Sequence, residues 1–352
     1  MSAPKVFFVT AVLAFSVIGV VSVVKKKKSK EVVSDVVVSE KKSASESFFE
    51  NITPVAVPLK ESEKTSLHIP KNIESEIKVE VIKGPQPLVF KEFPSIDRTY
   101  QLFNTGQNKL PIVETVVYSS AVPWLKGRPA WVSDYAAYYN TSKHFIARSL
   151  NGKPDYNNQT VASGSKFNVF KKDKKIHFHL LVDTNQLKMG LYYYDLETKE
   201  RLLIKTYSVG LGRVDKNKPS GSLTPLGTYL LGDKIAIYSP GIMGLFHDQK
   251  TEMIRVFGTR WIPFGQSLEG ATESAKGYGI HGAPWIVDSK TSELVENRES
   301  VGKFESDGCI RLLHEDVEEL FSIIITKPTF VHIVKDFQDA NLPGVEVATP
   351  TR

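Results

Sequence analysis

A chain of 352 residues with one cysteine cannot staple itself. The single thiol, Cys309, has no intramolecular partner, so the fold must stand on packed apolar side chains alone. The supply suffices: 41% of residues are hydrophobic and 10% aromatic, which excludes a wholly disordered chain. An unpaired thiol in an oxidising space invites intermolecular pairing unless it is buried or used.

The formal net charge of +6 suggests an anionic partner until it is located. Residues 1–30 hold six lysines and no acid, and the whole chain has 45 bases against 39 acids, so everything after residue 30 is neutral. No nucleic-acid partner is expected. Val6 to Val24 is nineteen residues without a charge, followed by four lysines. At 1.5 Å per residue a helix of that length nearly crosses a hydrocarbon core of about 30 Å. Residues 1–24 therefore read as a transmembrane signal anchor, with 6–24 in the inner membrane. A cleaved secretory signal is the rival, opposed by the long apolar run and the lack of a small-x-small site. The lysines follow the span, and the positive-inside rule would hold the rest in the cytoplasm, although large domains can translocate regardless. Residues 25–95, rich in Lys, Glu, Ser and Pro, read as a flexible tether spanning roughly 40–50 Å.

From 96 the composition changes to aromatic-rich. Ser133 is placed to cap a helix DYAAYY, and Thr141 or Ser142 a second, SKHFIARSL. Lys166–Phe170 then alternates as a strand. From Lys175 the runs IHFHLLVDT, LYYYDLE and LLIKTYSVG read as strands between turns, with Thr228–Leu231 another. His177 and His179 share a strand face, but no third ligand is near them in sequence, so no metal is assigned. Gly210-Leu211-Gly212 follows a strand without a third glycine or a helix, so no dinucleotide cofactor is expected.

The chemistry gathers at Gly279-Ile280-His281-Gly282 and Ser306-Asp307-Gly308-Cys309-Ile310-Arg311. Cys309 precedes a helix marked by Val317, Leu320, Phe321 and Ile324, with Glu315 and Asp316 near its start. Gly308 lets backbone amides approach a reacting carbonyl, as an oxyanion site needs. A free thiol is only about 3% ionised at pH 7, so a nucleophilic Cys309 needs a base, and His281, set among small and apolar residues, is the candidate general acid/base.

Two resemblances attach to these residues. Residues 176–335 resemble the catalytic domain of the L,D-transpeptidases (YkuD-like). His281-Gly282, Ser306, Gly308, Cys309 and Arg311 fill that family's motif, and LTPLGTYLL (223–231) matches its Thr-Pro-x-Gly stretch. The stretch SDYAAYYNTSKHFIARSLN followed by VASGSKFNVF resembles a LysM module, the βααβ unit that binds N-acetylglucosamine polymers, without the usual early Gly-Asp pair. The expected fold class is thus mainly β with short helices (α+β). A LysM-like domain at 96–172 precedes a YkuD-like β-sandwich at 173–337 and a flexible tail at 338–352.

The resemblance implies an enzyme without cofactor that acts outside the cytoplasmic membrane, in the periplasm or extracytoplasmic space, on peptidoglycan stem peptides, with glycan strands as a further partner. Cys309 would be the nucleophile, Gly308 and Cys309 amides the oxyanion hole, and Ser306, Arg311, Gly282 and Asp307 substrate-binding or loop-ordering residues. Products would be 3–3 cross-links with release of D-Ala, or hydrolysis as an L,D-carboxypeptidase. Asp307 stands where the family has a second histidine, and it would oppose thiolate formation unless Arg311 or Lys303 neutralised it. That departure leaves a catalytically impaired wall-binding scaffold as the alternative. The segment 283–305 is longer than usual and implies an enlarged loop over the cleft. A sortase would need a TLxTC-like strand and a later arginine, and a papain-like peptidase would place cysteine before histidine.

Overall fold

The computed structural model describes residues 91–151, 160–233 and 235–347. The anchor at 1–24 and nearly all of the tether lie outside the described residues. Among those described, no helix is long and apolar enough to cross a membrane.

After a one-turn helix α1 (Tyr100–Phe103), strand β1 (Val113–Val117) is followed by helices α2 (Val132–Tyr138) and α3 (Lys143–Asn151), and then by β2 (Lys166–Phe170). The two strands pair antiparallel, Val113 opposite Phe170 and Val117 opposite Lys166. The α3 cap is Ser142, whose Oγ accepts the His144 amide at 3.1 Å, while Thr141 accepts the Phe170 amide at 2.9 Å. Helix α2 starts one residue before Ser133, because Asp134, held by Arg128 at 2.6 Å, takes the Trp131 amide at 2.7 Å.

The rest is mainly β. Long strands β3 (Ile176–Asp183), β4 (Lys188–Asp195) and β5 (Glu200–Ser208) form a meander, and short β6 (Leu211–Gly212) leads to β7 (Gly227–Leu231) and β8 (Ala236–Ile237). A hairpin of β9 (Met243–Phe246) and β10 (Gln249–Glu252) and the one-turn helix α4 (Ile254–Phe257) precede β11 (Arg260–Ser267) and β12 (Gly279–Gly282). The long segment after His281 folds as a second hairpin, β13 (Trp285–Val287) with β14 (Leu294–Glu296), before β15 (Phe304–Ser306). Then come β16 (Ile310–Leu312), helix α5 (His314–Ile324), β17 (Thr329–Val334) and β18 (Val345–Glu346). Ten strands join in one sheet, ordered β16-β12-β11-β7-β17-β3-β4-β5-β18, with β8 also on β11. A register shift between Phe264 and Gln266 marks where β11 changes neighbour: its first half pairs β12 and β8, its second half β7. A bulge of this kind bends and twists a strand, and so curls the sheet.

Helix α5 buries Val317, Leu320, Phe321 and Ile324, the expected stripe, and Ser322 and Ile323 as well. Its exposed start lacks a side-chain cap of its own. Glu296 on β14 supplies one, accepting the His314 amide at 2.6 Å.

No seam separates the βααβ unit from the sheet. Phe145 and Phe170 are fully buried with Phe178 of β3, the rings 4.7 and 5.9 Å apart in sequence, and His144 meets Phe321 of α5 edge-on at 5.0 Å. The ends differ from the sequence expectation. Phe93, assigned to the tether, is buried, and Leu342, assigned to the tail, closes the same small cluster with Leu181, Tyr192 and Leu203. Val345 and Glu346 pair with β5. Isolated apolar residues in polar sequence find a sheet face that local composition does not reveal.

Candidate active site

Strands β12 and β16 run side by side and parallel, Ile280 opposite Ile310 and His281 opposite Arg311. Ile280, Ile310 and Leu312 are fully buried in the main core. Alternation along each strand therefore turns His281 and Arg311 to the other face, where Cys309 enters at the mouth of β16. Residues far apart in sequence are thus delivered to one sheet edge by two short strands.

His281 is 4% exposed, walled by Phe257 edge-on at 5.4 Å and by Trp261. Its Nδ1 lies 2.7 Å from the Gly282 carbonyl. A carbonyl only accepts, so Nδ1 carries the proton and Nε2 keeps the lone pair. Burial holds the imidazole down at about 4, against the Gly282 carbonyl, which favours the proton, and with Arg311 opposing it further. Gly282 packs against the backbone of residues 258–259 and Val317, with little room for a side chain.

Cys309 is half-buried, and its thiol points to the Gly277 carbonyl at 3.7 Å. Burial pushes the thiol up to about 11. The Gly279 amide and Arg311 act the other way, and Asp307 adds a small upward push. Burial thus disfavours the charged form of each group, thiolate and imidazolium alike.

The loop bearing Cys309 is locked from three sides. Ser306, 1% exposed, donates to the Cys309 carbonyl at 2.6 Å and accepts the Gly308 amide at 3.1 Å. Gly308 sits at φ 118°, where a Cβ would lie 2.6 Å from the Tyr278 ring, so only glycine fits. Thr224, fully buried in the Thr-Pro-x-Gly stretch, donates to the Gly308 carbonyl at 3.0 Å and accepts the Gly212 amide at 2.7 Å. The expected Gly308 oxyanion donor is thus already engaged by Ser306. The Cys309 amide has no partner among the described residues.

Asp307 is exposed and pairs with Arg213 at 2.6 Å, the residue just after β6. The neutralising partner is therefore neither Arg311 nor Lys303, whose ammonium lies near Glu299 and Glu305 instead. Arg311 has no ion pair among the described residues, and its buried Nε is unpartnered. Sequence reasoning missed Tyr278 and Arg213, each adjacent to a glycine that permits close packing, and it took Thr224 only as part of the Thr-Pro-x-Gly stretch, without its bond to the Gly308 carbonyl. His179 meets His332 at 2.9 Å, not His177. Among the described residues the one cluster with metal-binding composition is Glu296, His314 and Glu315, and Arg298 already bridges its two glutamates at 2.9 and 2.5 Å.

Residues 177–333 match the YkuD family, the L,D-transpeptidase catalytic domain. The chain is 25% identical over 191 residues to the YkuD protein of Bacillus licheniformis, an alignment covering 54% of this chain and 85% of the relative. Among solved structures, Bd1075 of Bdellovibrio bacteriovorus is 16% identical with a TM-score of 0.30, covering 45% of this chain and 48% of that one. The helical cell shape determining protein Pgp2 of Campylobacter jejuni is 19% identical with a TM-score of 0.30, covering 48% and 50%. The chain thus spans about half the length of each of these two solved structures.

Proposed function

Because residues 177–333 match the YkuD family, we propose that the chain is a peptidoglycan L,D-transpeptidase in which Cys309 forms an acyl-enzyme with the stem peptide. The observation that carries this reading is the parallel register of β12 and β16. It sets His281, with Nδ1 tied to Gly282 and Nε2 free to take a proton, beside the strand that Cys309 opens.

As the Cys309 sulfur attacks the carbonyl of the diamino acid at position three, its proton passes to His281 Nε2. The tetrahedral oxyanion is held by the Cys309 amide, with Tyr278, whose ring lies on Gly308, as a second donor. The bond to the terminal D-Ala breaks as His281 returns the proton to the leaving amine, leaving a thioester. The side-chain amine of a second stem attacks that thioester, loses its proton to His281, and forms the 3–3 cross-link as the thiol is released. Water in place of the amine gives L,D-carboxypeptidase activity. A neutral resting pair suits this sequence, because the proton moves with the attack and no separated charges wait in a half-buried site.

The βααβ unit belongs to the same proposal as a LysM-like glycan-binding module, and residues 6–24 as an anchor that leaves the catalytic domain outside the cytoplasmic membrane. The test is mass analysis of muropeptides incubated with the purified protein and with Cys309→Ala. Cross-linked or trimmed stems from the wild type and none from the variant are expected. Equal product from both would overturn the nucleophile, and none from either would favour the scaffold reading.

A further inference from the structure

Asp307 places a carboxylate two residues from the nucleophile, on a loop whose Ser306 hydroxyl and Gly308 amide and carbonyl are tied down. Ser306, Gly308 and the Cys309 carbonyl are fixed by hydrogen bonds, whereas Asp307 is held by one contact, Arg213 at 2.6 Å. Arg213 is itself set by backbone. Its amide donates to the Ser306 carbonyl at 2.9 Å, and its carbonyl accepts the Leu223 amide at 2.9 Å. The Arg213 backbone is therefore anchored beside the nucleophile loop, with its guanidinium 2.6 Å from the Asp307 carboxylate. Both side chains are more than half exposed, so the pair adds little to stability, and a structural purpose does not account for it.

We propose that Arg213 is a positioning residue that holds the Asp307 carboxylate away from the Cys309 sulfur and cancels its charge, so that an acid is tolerated beside the nucleophile. The inference deepens the transpeptidase reading but concerns the thiol itself. The charged or titratable groups that act on that sulfur are Asp307 on its own loop, Arg311 on β16 and Tyr278 before β12, while His281 on β12, Arg213 after β6 and Glu305 on β15 act on Arg311. Arg311 favours the thiolate and Asp307 opposes it. Without Arg213, the carboxylate keeps its full charge and is free to turn toward the sulfur, and the balance shifts against ionisation.

The experiment is a double-mutant cycle read by alkylation of the only cysteine with neutral iodoacetamide across pH 7 to 10, using the full chain. R213A should slow alkylation about threefold to tenfold at a given pH, and D307N should speed it severalfold. R213A/D307N should match D307N alone, because Arg213 has nothing left to restrain, and R213K should recover most of the wild-type rate. Thermal melting of all four variants should stay near wild type. An equal slowing by R213A in the D307N background, or no slowing at all, would overturn the proposal. Alkylation needs no peptidoglycan, so failure here and failure of the transpeptidase assignment are separate results.

Discussion

At the scale of single residues, burial decides the state of the Cys309 thiol. Cys309 is pushed up to about 11 and His281 down to about 4, so between those limits the pair rests as thiol and neutral imidazole. A thiolate–imidazolium pair would need two charges in the half-buried mouth of β16, where Arg311 already disfavours an imidazolium. The pH dependence follows. Far below its pKa, a thiol's ionised fraction rises tenfold per pH unit, so the iodoacetamide alkylation rate of Cys309 should climb with a log–log slope near one from pH 6 to 9. A plateau starting near pH 6 would show a preformed ion pair instead. The two residues themselves could be named from sequence, because a lone thiol after glycine and a histidine between small residues are local signals. Their protonation could not, because it is set by Phe257, Trp261 and the sheet packed around them.

Among elements, the Thr224 hydroxyl ties the end of β6 to the turn between β15 and β16, beside the β6–β15 pairing. It accepts the Gly212 amide at the end of β6 and donates to the Gly308 carbonyl, both at buried positions. Thr224→Val keeps the shape and deletes both bonds, stranding a buried donor and a buried acceptor at about 1–3 kcal/mol. Melting should fall by several degrees, and turnover of stem peptide should fall further than stability explains, because the loop carrying Cys309 loses a tether. Turnover that drops only in step with folded fraction would reduce Thr224 to a purely structural clasp. Elements were read unevenly from the sequence for a related reason. Helix α5 was plain, since its stripe of Val317, Leu320, Phe321 and Ile324 is a local period. The strands β6, β15 and β16 are two or three residues long, too short for any period, and exist through parallel pairing with distant partners. The same holds for β18, whose pairing with β5 turns an apparent tail into a sheet edge.

For the molecule as a whole, buried histidines set its behaviour in acid. His144 and His179 are held down at about 3 and His281 and His332 at about 4, in each case chiefly by burial. An unfolded histidine takes its proton near pH 6.5. From there down to about 4 the unfolded chain binds protons that the native chain refuses, so stability is full above pH 6.5 and falls as pH drops through that window. Each histidine contributes up to about 1.4 kcal/mol per pH unit, which for four by pH 5 is on the order of 4–8 kcal/mol. That is comparable with the whole stability of a typical domain of roughly 5–15 kcal/mol. The arginine-paired carboxylates act below that window. Asp134 and Glu315, held at about 2 by Arg128 and Arg298, lose their contribution only as pH falls below about 4.5. Thermal melts taken every half unit should therefore be flat from pH 8 to 7 and decline steeply between 6.5 and 5. His144→Phe, at the edge-on contact with Phe321 that joins the βααβ unit to α5, should make the decline shallower. A melting temperature that stays level to pH 5 would mean that these histidines are protonated in place, in surroundings that open more readily than their packing implies.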